Sequence, residues 1–288
     1  MNKKTSDKYA IGFFGTPEIA VFVLEELEKA GILPAVVITQ PDKPAGRGLL
    51  RAAPPAKEWA LAHGTAVIQP KKLSSEDPEM DILFNTEWDL FVVAAYGTII
   101  PAEILKLPRH GTLNVHPSLL PRFRGPTPIE SAILADEKET GVTIMLLDEE
   151  LDHGPIVAHA SITSDRPLKA GILGEILARA GGKLLAEVIP PWIERTLKAE
   201  PQEHAKATFT KKIRKEDGLL DISADDYKNY LKFCAYDGWP GTYFFTKRNG
   251  KNVRVKIIDA EYTNGSFLIT RIIPEGKKEM AYADFMRI

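Results

Sequence analysis

The chain has little cysteine and no long apolar run. Its 288 residues include a single cysteine, Cys234, so the chain has no internal disulfide and no cysteine-based zinc site. No apolar stretch approaches the ~20 residues that a membrane-spanning helix needs. The stretch from Met1 to Tyr9 is charged and lacks the apolar centre of a signal peptide. These absences predict a cytoplasmic protein that is not attached to a membrane.

Two nucleotide-binding patterns are also missing. The segment Gly12-Phe-Phe-Gly15-Thr16 is the carboxyl end of the first predicted strand, where a dinucleotide would bind. It lacks the full Gly-x-Gly-x-x-Gly pattern. No phosphate loop ending in Gly-Lys-Ser or Gly-Lys-Thr occurs in the chain. A nicotinamide-dinucleotide or ATP site is therefore not favoured.

The composition is that of a globular protein. Hydrophobic residues make up 44% and charged residues 26% of the chain, which is close to the average for folded domains. The net charge is -2, but the part from Ala205 onward is richer in basic than in acidic residues, whereas the part before it is acidic. A basic end favours an anionic partner, although ordinary surface solvation explains so modest an asymmetry equally well.

Apolar runs alternate with helical patterns in the first half of the chain. Helical patterns follow Gly15-Thr16-Pro17-Glu18, where Thr16 is the predicted N-cap, and span Pro55 to His63. Near-continuous apolar strands separated by helices predict an α/β fold with a doubly wound, mostly parallel, Rossmann-like sheet. The predicted strands are Ala10–Phe14, Ala35–Thr39, Leu90–Ala95, Gly111–His116 and Val142–Leu147.

The second half begins with a helix and ends in strands. Helical spacing predicts a helix over 168–197 that is kinked or interrupted at Pro190-Pro191. Short strands separated by Asn249-Gly250 and Asn264-Gly265 turns predict a small β-rich domain at the end. We therefore expect a catalytic domain over 1–197, a linker over 198–207 and a C-terminal domain over 208–288.

Three polar residues at predicted strand ends suggest an active site. Asn114 and His116 are two residues apart on one strand, so their side chains share a face. Asp152 lies in a glycine-containing turn after a later strand. Acyl transfer to an amine needs an oxyanion donor, a proton shuttle and a group that holds the shuttle in its working state. The three side chains can supply these roles, although each also has an ordinary structural explanation.

The order of these residues carries a family resemblance. Asn114-Val-His116-Pro-Ser-Leu-Leu-Pro121, followed by Leu151-Asp152-x-Gly154, resembles the signature of the 10-formyltetrahydrofolate-dependent formyltransferases. The resemblance implies that 10-formyltetrahydrofolate is the formyl donor and that no metal is required. Because this donor is already activated, the absence of an ATP site is consistent with it. By the same resemblance the catalytic residues are Asn114, His116 and Asp152, and the folate contacts are Ser118, Leu119, Leu120 and Pro121.

Further stretches are similar to the branch of this family that formylates methionyl-tRNA. They are Phe14–Ala20, Thr39–Gly48, Thr210–Ile213 and Gly238-Trp239-Pro240. The resemblance implies an OB-like barrel as the C-terminal tRNA-binding domain, and a loop that enters the acceptor-stem end of the tRNA. Basic side chains there would meet phosphates, or are ordinary solvated charges. The tRNA-binding residues implied are Lys43, Arg47 and Arg51 in the loop and Lys211 and Lys212 in the C-terminal domain.

The implied activity is the formylation of aminoacylated initiator tRNA for translation initiation. The α-amino group would attack the formyl carbon while Asn114 and a protonated His116 donate hydrogen bonds to the oxygen, and Asp152 would favour the imidazolium. The implied partners are the tRNA and a reduced folate, with no obligate protein partner. Two alternatives stay open: a formyltransferase for a small amine such as a nucleotide-linked amino sugar, and a non-catalytic protein that binds RNA or folate.

Overall fold

The computed structural model describes residues 8–45, 50–248 and 250–287. The chain forms two compact units. The first consists of Met1–Arg124, Gly141–Ile162 and Glu175–Thr208, and the second of Gly125–Thr140, Thr163–Gly174 and Phe209–Ile288. The segment expected to be a linker, 198–207, lies within the first unit.

A seven-stranded sheet forms the centre of the fold. The strands are β1 (Ile11–Gly15), β2 (Val36–Ile38), β5 (Ala66–Ile68), β6 (Leu90–Ala94), β7 (Thr112–His116), β8 (Glu139–Leu146) and β9 (Ile156–Thr163), and they lie in the order β5-β2-β1-β6-β7-β8-β9. The pairs β1–β2, β2–β5, β1–β6 and β6–β7 are parallel, whereas β7 and β8 are antiparallel. The prediction of a mostly parallel sheet is confirmed.

The strand order reverses between β1 and β6. From β1 the chain continues to β2 and β5 on one side, and it then returns to β6 and β7 on the other. Parallel sheets of this kind bind ligands beyond the carboxyl ends of the strands next to such a reversal. The functional site is therefore expected at the edge formed by the ends of β1, β6 and β7.

Helices cover both faces of this sheet. Phe13 and Phe14 are adjacent on β1 and belong to different buried clusters, because successive side chains of a strand point to opposite faces. Phe14 contacts the rings of Phe91 and Tyr96 edge-on, at 5.4 Å in each case. The helices of the chain are α1 (Glu18–Lys29), α2 (Pro55–Ala62), α3 (Asp81–Phe84), α4 (Ala102–Leu105), α5 (Pro128–Leu134), α6 (Ala170–Ile193), α7 (Asp226–Ala235) and α8 (Tyr282–Arg287), with short 3-10 turns at Pro78–Met80, His204–Lys206 and Lys215–Gly218.

Two local predictions differ from the structure. The N-cap of α1 is Pro17, which provides no side-chain cap, and the Thr16 hydroxyl instead donates to the carbonyl of Tyr96 at 3.0 Å. Thr16 thus ties the carboxyl ends of β1 and β6 together rather than capping the helix. The helix α6 is not interrupted at Pro190 and Pro191, and it ends at Ile193. The two prolines lie in its last turn, and the helix ends two residues after Pro191 because each proline removes an N–H donor from the backbone ladder.

The second unit contains the predicted antiparallel sheet. Its strands are β10 (Tyr243–Arg248), β11 (Lys251–Thr263), β12 (Ser266–Pro274) and β13 (Met280–Ala281), in that order. The turn between β11 and β12 has positive φ at Asn264 (50°) and Gly265 (79°), as a two-residue type I′ hairpin requires. The helix α7 packs against β11, β12 and α5 within this unit.

None of the helices in the described part of the chain has the length and apolar character of a membrane span.

The remaining strands, β3 (Lys43–Ala45) and β4 (Leu50–Ala52), pair as a separate antiparallel hairpin between β2 and α2.

The packing of α1 against the sheet gives a test of the fold. Leu24 is fully buried in the cluster below α1, so we expect Leu24→Ala to lower the free energy of unfolding by about 2–5 kcal/mol. Leu61 on α2 is 61% exposed, and Leu61→Ala is expected to change it by less than about 0.5 kcal/mol. Chemical denaturation measures both. Equal effects of the two substitutions would contradict this packing.

Candidate active site

The strand β7 presents Asn114 and His116 at its carboxyl end. Asn114 lies opposite Val93 of β6 and Met145 of β8, and His116 lies opposite Thr143 of β8. Because they are two residues apart on one strand, their side chains point to the same face. The sheet thus places both residues on the strand next to β6, one strand away from the reversal between β1 and β6.

His116 is held between a backbone carbonyl and a carboxylate. The residue is 4% exposed. Its Nε2 lies 3.1 Å from the carbonyl oxygen of Phe123, and its Nδ1 lies 3.7 Å from Oδ1 of Asp152. The structure therefore brings His116 and Asp152 together from two separate strand ends.

Burial decides the charge of this imidazole at rest. Burial lowers the pKa of His116 below its usual value, and the positive charge of Arg124 acts in the same direction. The Asp152 carboxylate and the Phe123 carbonyl act in the opposite direction but do not outweigh burial. The protonated His116 expected from the sequence is thus not the resting form, because burial disfavours the charged ring.

Asn114 differs from its neighbours in having uncommitted polar atoms. Its side chain is half-buried, and among the described residues none forms a hydrogen bond with its amide group. The amide can therefore donate to an oxygen brought to this face of the sheet. A half-buried amide beside a carboxylate–imidazole pair matches the donor and shuttle that acyl transfer to an amine needs.

The segment after β7 is built into the fold. Ser118 is fully buried; its hydroxyl donates to the carbonyl of Arg122 at 2.7 Å, and its own carbonyl accepts from the hydroxyl of Thr143 at 2.7 Å. The same Thr143 oxygen accepts from the amide of Leu120 at 3.1 Å, and Leu120 is buried too. Ser118 and Leu120 thus shape the loop from inside it. Leu119 and Pro121 are partly exposed, and folate contact by these four residues stays a prediction.

The turn that carries Asp152 has a constrained backbone. Asp152 has φ +47°, in the left-handed region that non-glycine residues rarely adopt. At Gly154, an added Cβ would lie 1.9 Å from the carbonyl oxygen of Leu146, so only glycine fits there. The carbonyls of Asp152 and Gly154 both accept from Nε2 of Gln202, at 2.9 Å and 2.7 Å.

Three residues around this site were not identified from the sequence. Thr143 is fully buried in β8, and a lone hydroxyl within an apolar strand was its only signal. Arg124 is 3% and Gln202 is 5% exposed, and Nε and Nη2 of Arg124 donate to Oε1 of Gln202 at 3.1 Å and 2.6 Å. Their contact joins residues 78 positions apart, which no local pattern reveals.

The basic loop begins as the β3–β4 hairpin. Lys43 and Arg51 are exposed on it, whereas Arg47 lies outside the described residues. At its base, Nζ of Lys57 donates to both carboxylate oxygens of Asp42, at 2.8 Å and 2.9 Å, and to Oε1 of Gln69 at 2.6 Å. The Lys57 contact, with help from Gln69, holds the pKa of the Asp42 carboxyl below its usual range.

A cavity of about 310 Å³ lies beside this loop. Its walls come from the segments that follow β2, β5 and β6, and they include Gln40, Lys43, Lys71, Tyr96 and Thr98. Lys43 and Lys71 bring positive charge to the cavity, and its apolar wall comes from Pro41, Pro70 and Leu73. It lies at the carboxyl edge of the sheet, where the strand order predicts ligand binding.

The other predicted tRNA contacts belong to the second unit. Lys211 and Lys212 are exposed and precede the 3-10 turn at Lys215–Gly218. The carbonyl of Lys211 accepts from the hydroxyl of Thr127 at 2.9 Å, within the same unit. In the described part of the chain, no group of three His, Cys, Asp or Glu side chains could hold a metal ion.

The sequence matches known proteins over most of its length. Residues 8–189 match the profile of a family described as formyl transferase. The chain is 43% identical to the methionyl-tRNA formyltransferase of Chloroflexus aurantiacus over 254 residues, which is 88% of this chain and 81% of that protein. It is 36% identical to the methionyl-tRNA formyltransferase of Bacillus subtilis over 300 residues, covering 96% of this chain and 94% of that one.

Solved structures share the fold at lower sequence identity. HypX from Aquifex aeolicus, solved in complex with tetrahydrofolic acid, is 19% identical with a TM-score of 0.68. The match covers 96% of this chain but 47% of HypX, so the chain spans about half the length of that protein. Methionyl-tRNA formyltransferase from Clostridium thermocellum is 17% identical with a TM-score of 0.60, and the match covers 92% of this chain and 98% of that one.

The charge state of His116 gives a test of the site. We expect nuclear magnetic resonance titration of nitrogen-labelled histidines to place the pKa of His116 below the reference value of about 6.5, because the ring is buried. Asp152→Asn should lower it further, since the carboxylate favours the charged ring. His116→Gln assigns the resonance. A pKa above the reference value, or a rise in Asp152→Asn, would contradict the geometry described.

Proposed function

The chain belongs to the formyl transferase family and within it to the methionyl-tRNA formyltransferases, and we propose that it formylates methionyl-tRNA through Asn114, His116 and Asp152. The observation that carries this assignment of roles is the meeting of His116 with Asp152 at 3.7 Å, beside an Asn114 amide on the same face of β7. Together they supply a hydrogen-bond donor and a proton acceptor at one strand end.

The reaction joins the acceptor amine to a formyl carbon. The neutral α-amino group, whose reference pKa is about 8, attacks the formyl carbon; the C–N bond to N10 of the donor breaks, and one amine proton is transferred to N10. The Asn114 amide would donate to the formyl oxygen as negative charge develops there. His116, neutral at rest, accepts this proton on Nδ1 and passes it on to N10, and Asp152 stabilises the imidazolium formed in between.

The formyl donor is 10-formyltetrahydrofolate in this proposal. The family supports it, and a protein of the same fold was solved with tetrahydrofolic acid. The residues beside the site fit such a donor, because the Asn114 amide, which no other described residue bonds, matches a formyl oxygen. We assign the contact with the folate to the segment Ser118–Pro121, in which the side chains of Ser118 and Leu120 are buried and those of Leu119 and Pro121 are partly exposed.

The acceptor is aminoacylated initiator tRNA in this proposal. The relatives named above support methionyl-tRNA as the acceptor. We assign phosphate contacts to Lys43, Arg47 and Arg51 in the loop and to Lys211 and Lys212, and tRNA binding more broadly to 208–288, with catalysis in 1–197. The relatives named above are bacterial translation enzymes, and we place the activity of this chain in the cytoplasm.

Release of tetrahydrofolate tests donor, acceptor and residues together. We expect 10-formyltetrahydrofolate to be consumed only when methionyl-tRNA is present. Removing one oxyanion donor lowers kcat by on the order of 10²–10³, and we expect a loss of that size in Asn114→Ala. Losing the proton shuttle lowers rates by roughly 10²–10⁴, and we expect this for His116→Ala and Asp152→Ala. Circular dichroism checks that the variants are folded.

The controls separate the alternatives. Uncharged tRNA and a nucleotide-linked amino sugar replace methionyl-tRNA in parallel reactions. Turnover with the sugar alone would assign a small-molecule acceptor, and folate binding without turnover on any acceptor would indicate a non-catalytic relative. Wild-type-like turnover in one of the three variants would remove that residue from the mechanism.

The basic loop has its own test. We expect Arg47→Ala to raise the KM for methionyl-tRNA while leaving the affinity for the folate unchanged, because a lost phosphate contact weakens only the nucleic-acid substrate. The effect should shrink as salt rises, since phosphate contacts weaken with ionic strength. Arg109→Ala, at an exposed position between α4 and β7 that carries none of the assigned tRNA contacts, is the matched arginine control. An unchanged KM for tRNA would exclude Arg47 from tRNA binding.

A further inference from the structure

The segment from Glu200 to Thr208 is fastened at both ends within the first unit. At one end, the amides and carbonyls of Glu200 and Ile156 form two hydrogen bonds, at 2.8 Å and 2.7 Å. At the other end, the amide of Arg124 donates to the carbonyl of Thr208, and the amide of Phe123 donates to its hydroxyl, each at 2.8 Å. The segment thus connects the Asp152 turn with the Phe123 carbonyl that contacts His116.

Gln202 lies between these two ends and is almost fully buried. Its Nε2 donates to the carbonyls of Asp152 and Gly154, and its Oε1 accepts from two nitrogens of Arg124. A guanidinium only donates hydrogen bonds, so Oε1 must face Arg124 and the NH₂ group must face the turn. Every strong hydrogen-bonding position of this amide is therefore used in one orientation.

The turn needs such a contact. Asp152 has a left-handed backbone, at φ +47°, and an aspartate in this region persists only where its surroundings hold it. The Asp152 carboxylate lies 3.7 Å from Nδ1 of His116, so a small movement of the turn changes that separation directly. The hydrogen bonds from Gln202 to the two carbonyls oppose such a movement.

We propose that Gln202 is a positioning residue for formyl transfer, which holds the Asp152 turn against His116 and is itself oriented by Arg124. The segment 200–208 then contributes Gln202 to the support of the catalytic site and is more than a passive connection. This inference rests on the proposed function, because the effect of a misplaced Asp152 is measured as a loss of formylation rate.

Two substitutions of Gln202 separate its contacts. Gln202→Glu keeps an acceptor for Arg124 but has no N–H for the carbonyls of Asp152 and Gly154. Gln202→Met removes both functions at similar volume. Glu203→Gln is the matched control, since Glu203 is adjacent, exposed and paired only with Lys206 among the described residues.

Steady-state kinetics with 10-formyltetrahydrofolate and methionyl-tRNA is the first measurement. A displacement of about 1 Å in a catalytic group lowers the rate by on the order of 10², so we expect Gln202→Glu to lower kcat by roughly that factor. The KM values for both substrates should change less than about twofold, because neither substrate contact is removed. Glu203→Gln should have wild-type kinetics.

A double-mutant cycle with Asp152→Asn is the second measurement. If Gln202 acts through Asp152, changing it in the Asp152→Asn background should lower kcat by less than about twofold, since coupled residues are not additive. Titration of the His116 resonance gives the same test without turnover: Gln202→Met should lower its pKa toward the value in Asp152→Asn, and the double variant should lower it no further.

Each outcome is decisive for the inference. A tenfold or larger further loss of kcat in the Asp152→Asn background would show that Gln202 acts independently of Asp152 and would overturn the proposal. Wild-type kcat in folded Gln202→Glu would overturn it as well. If Gln202→Met fails to fold, the cycle with Gln202→Glu still decides. A wild-type enzyme that formylates no amine refutes the proposed function instead, while the His116 titration continues to test the positioning role.

Discussion

The placement of one imidazole between a carbonyl and a carboxylate is the constraint on which this site depends. His116 is buried, and its two ring nitrogens face the Phe123 carbonyl and the Asp152 carboxylate. Burial keeps the ring neutral at rest, while both neighbours favour the charged form once a proton arrives. A group under these opposing influences changes its protonation state when the local charge changes. That property suits a proton shuttle better than a permanently charged donor would.

Most of the surrounding polar groups form hydrogen bonds that stabilise this arrangement. Ser118 and Thr143 bond the loop after β7, and Gln202 bonds the Asp152 turn. Buried polar groups that are fully satisfied are rigid, because any displacement leaves a donor or acceptor unpaired. Asn114 is the contrasting residue: its amide has no bond among the described residues, and the residue is only half-buried. The side chains of Ser118, Thr143 and Gln202 are thus hydrogen-bonded within the protein, whereas the Asn114 amide is available to another molecule.

The sequence predicted the parts of this structure that depend on neighbours in the chain. Apolar runs located β1, β6 and β7, and the spacing of Asn114 and His116 placed both on one face, because strands have a period of two. The structure joins His116 to Asp152, and the resemblance had already paired them. Thr16 was misjudged as a helix cap, because its true partner, the carbonyl of Tyr96, lies 80 residues away. Gln202 was overlooked for the same physical reason, since its partners come from two distant turns.

The charge of His116 was the least accessible property from sequence. A nearby carboxylate favours an imidazolium, and the sequence contains that carboxylate but not the depth at which the ring lies. Depth arises only when β7 lies between β6 and β8 and the chain folds back over His116 at Phe123. The same burial that makes the ring neutral also excludes water, so the influence of Asp152 on it is strong. Burial and pairing therefore act together on His116. Burial favours the neutral ring at rest, and the Asp152 carboxylate favours the charged ring that forms when Nδ1 accepts a proton.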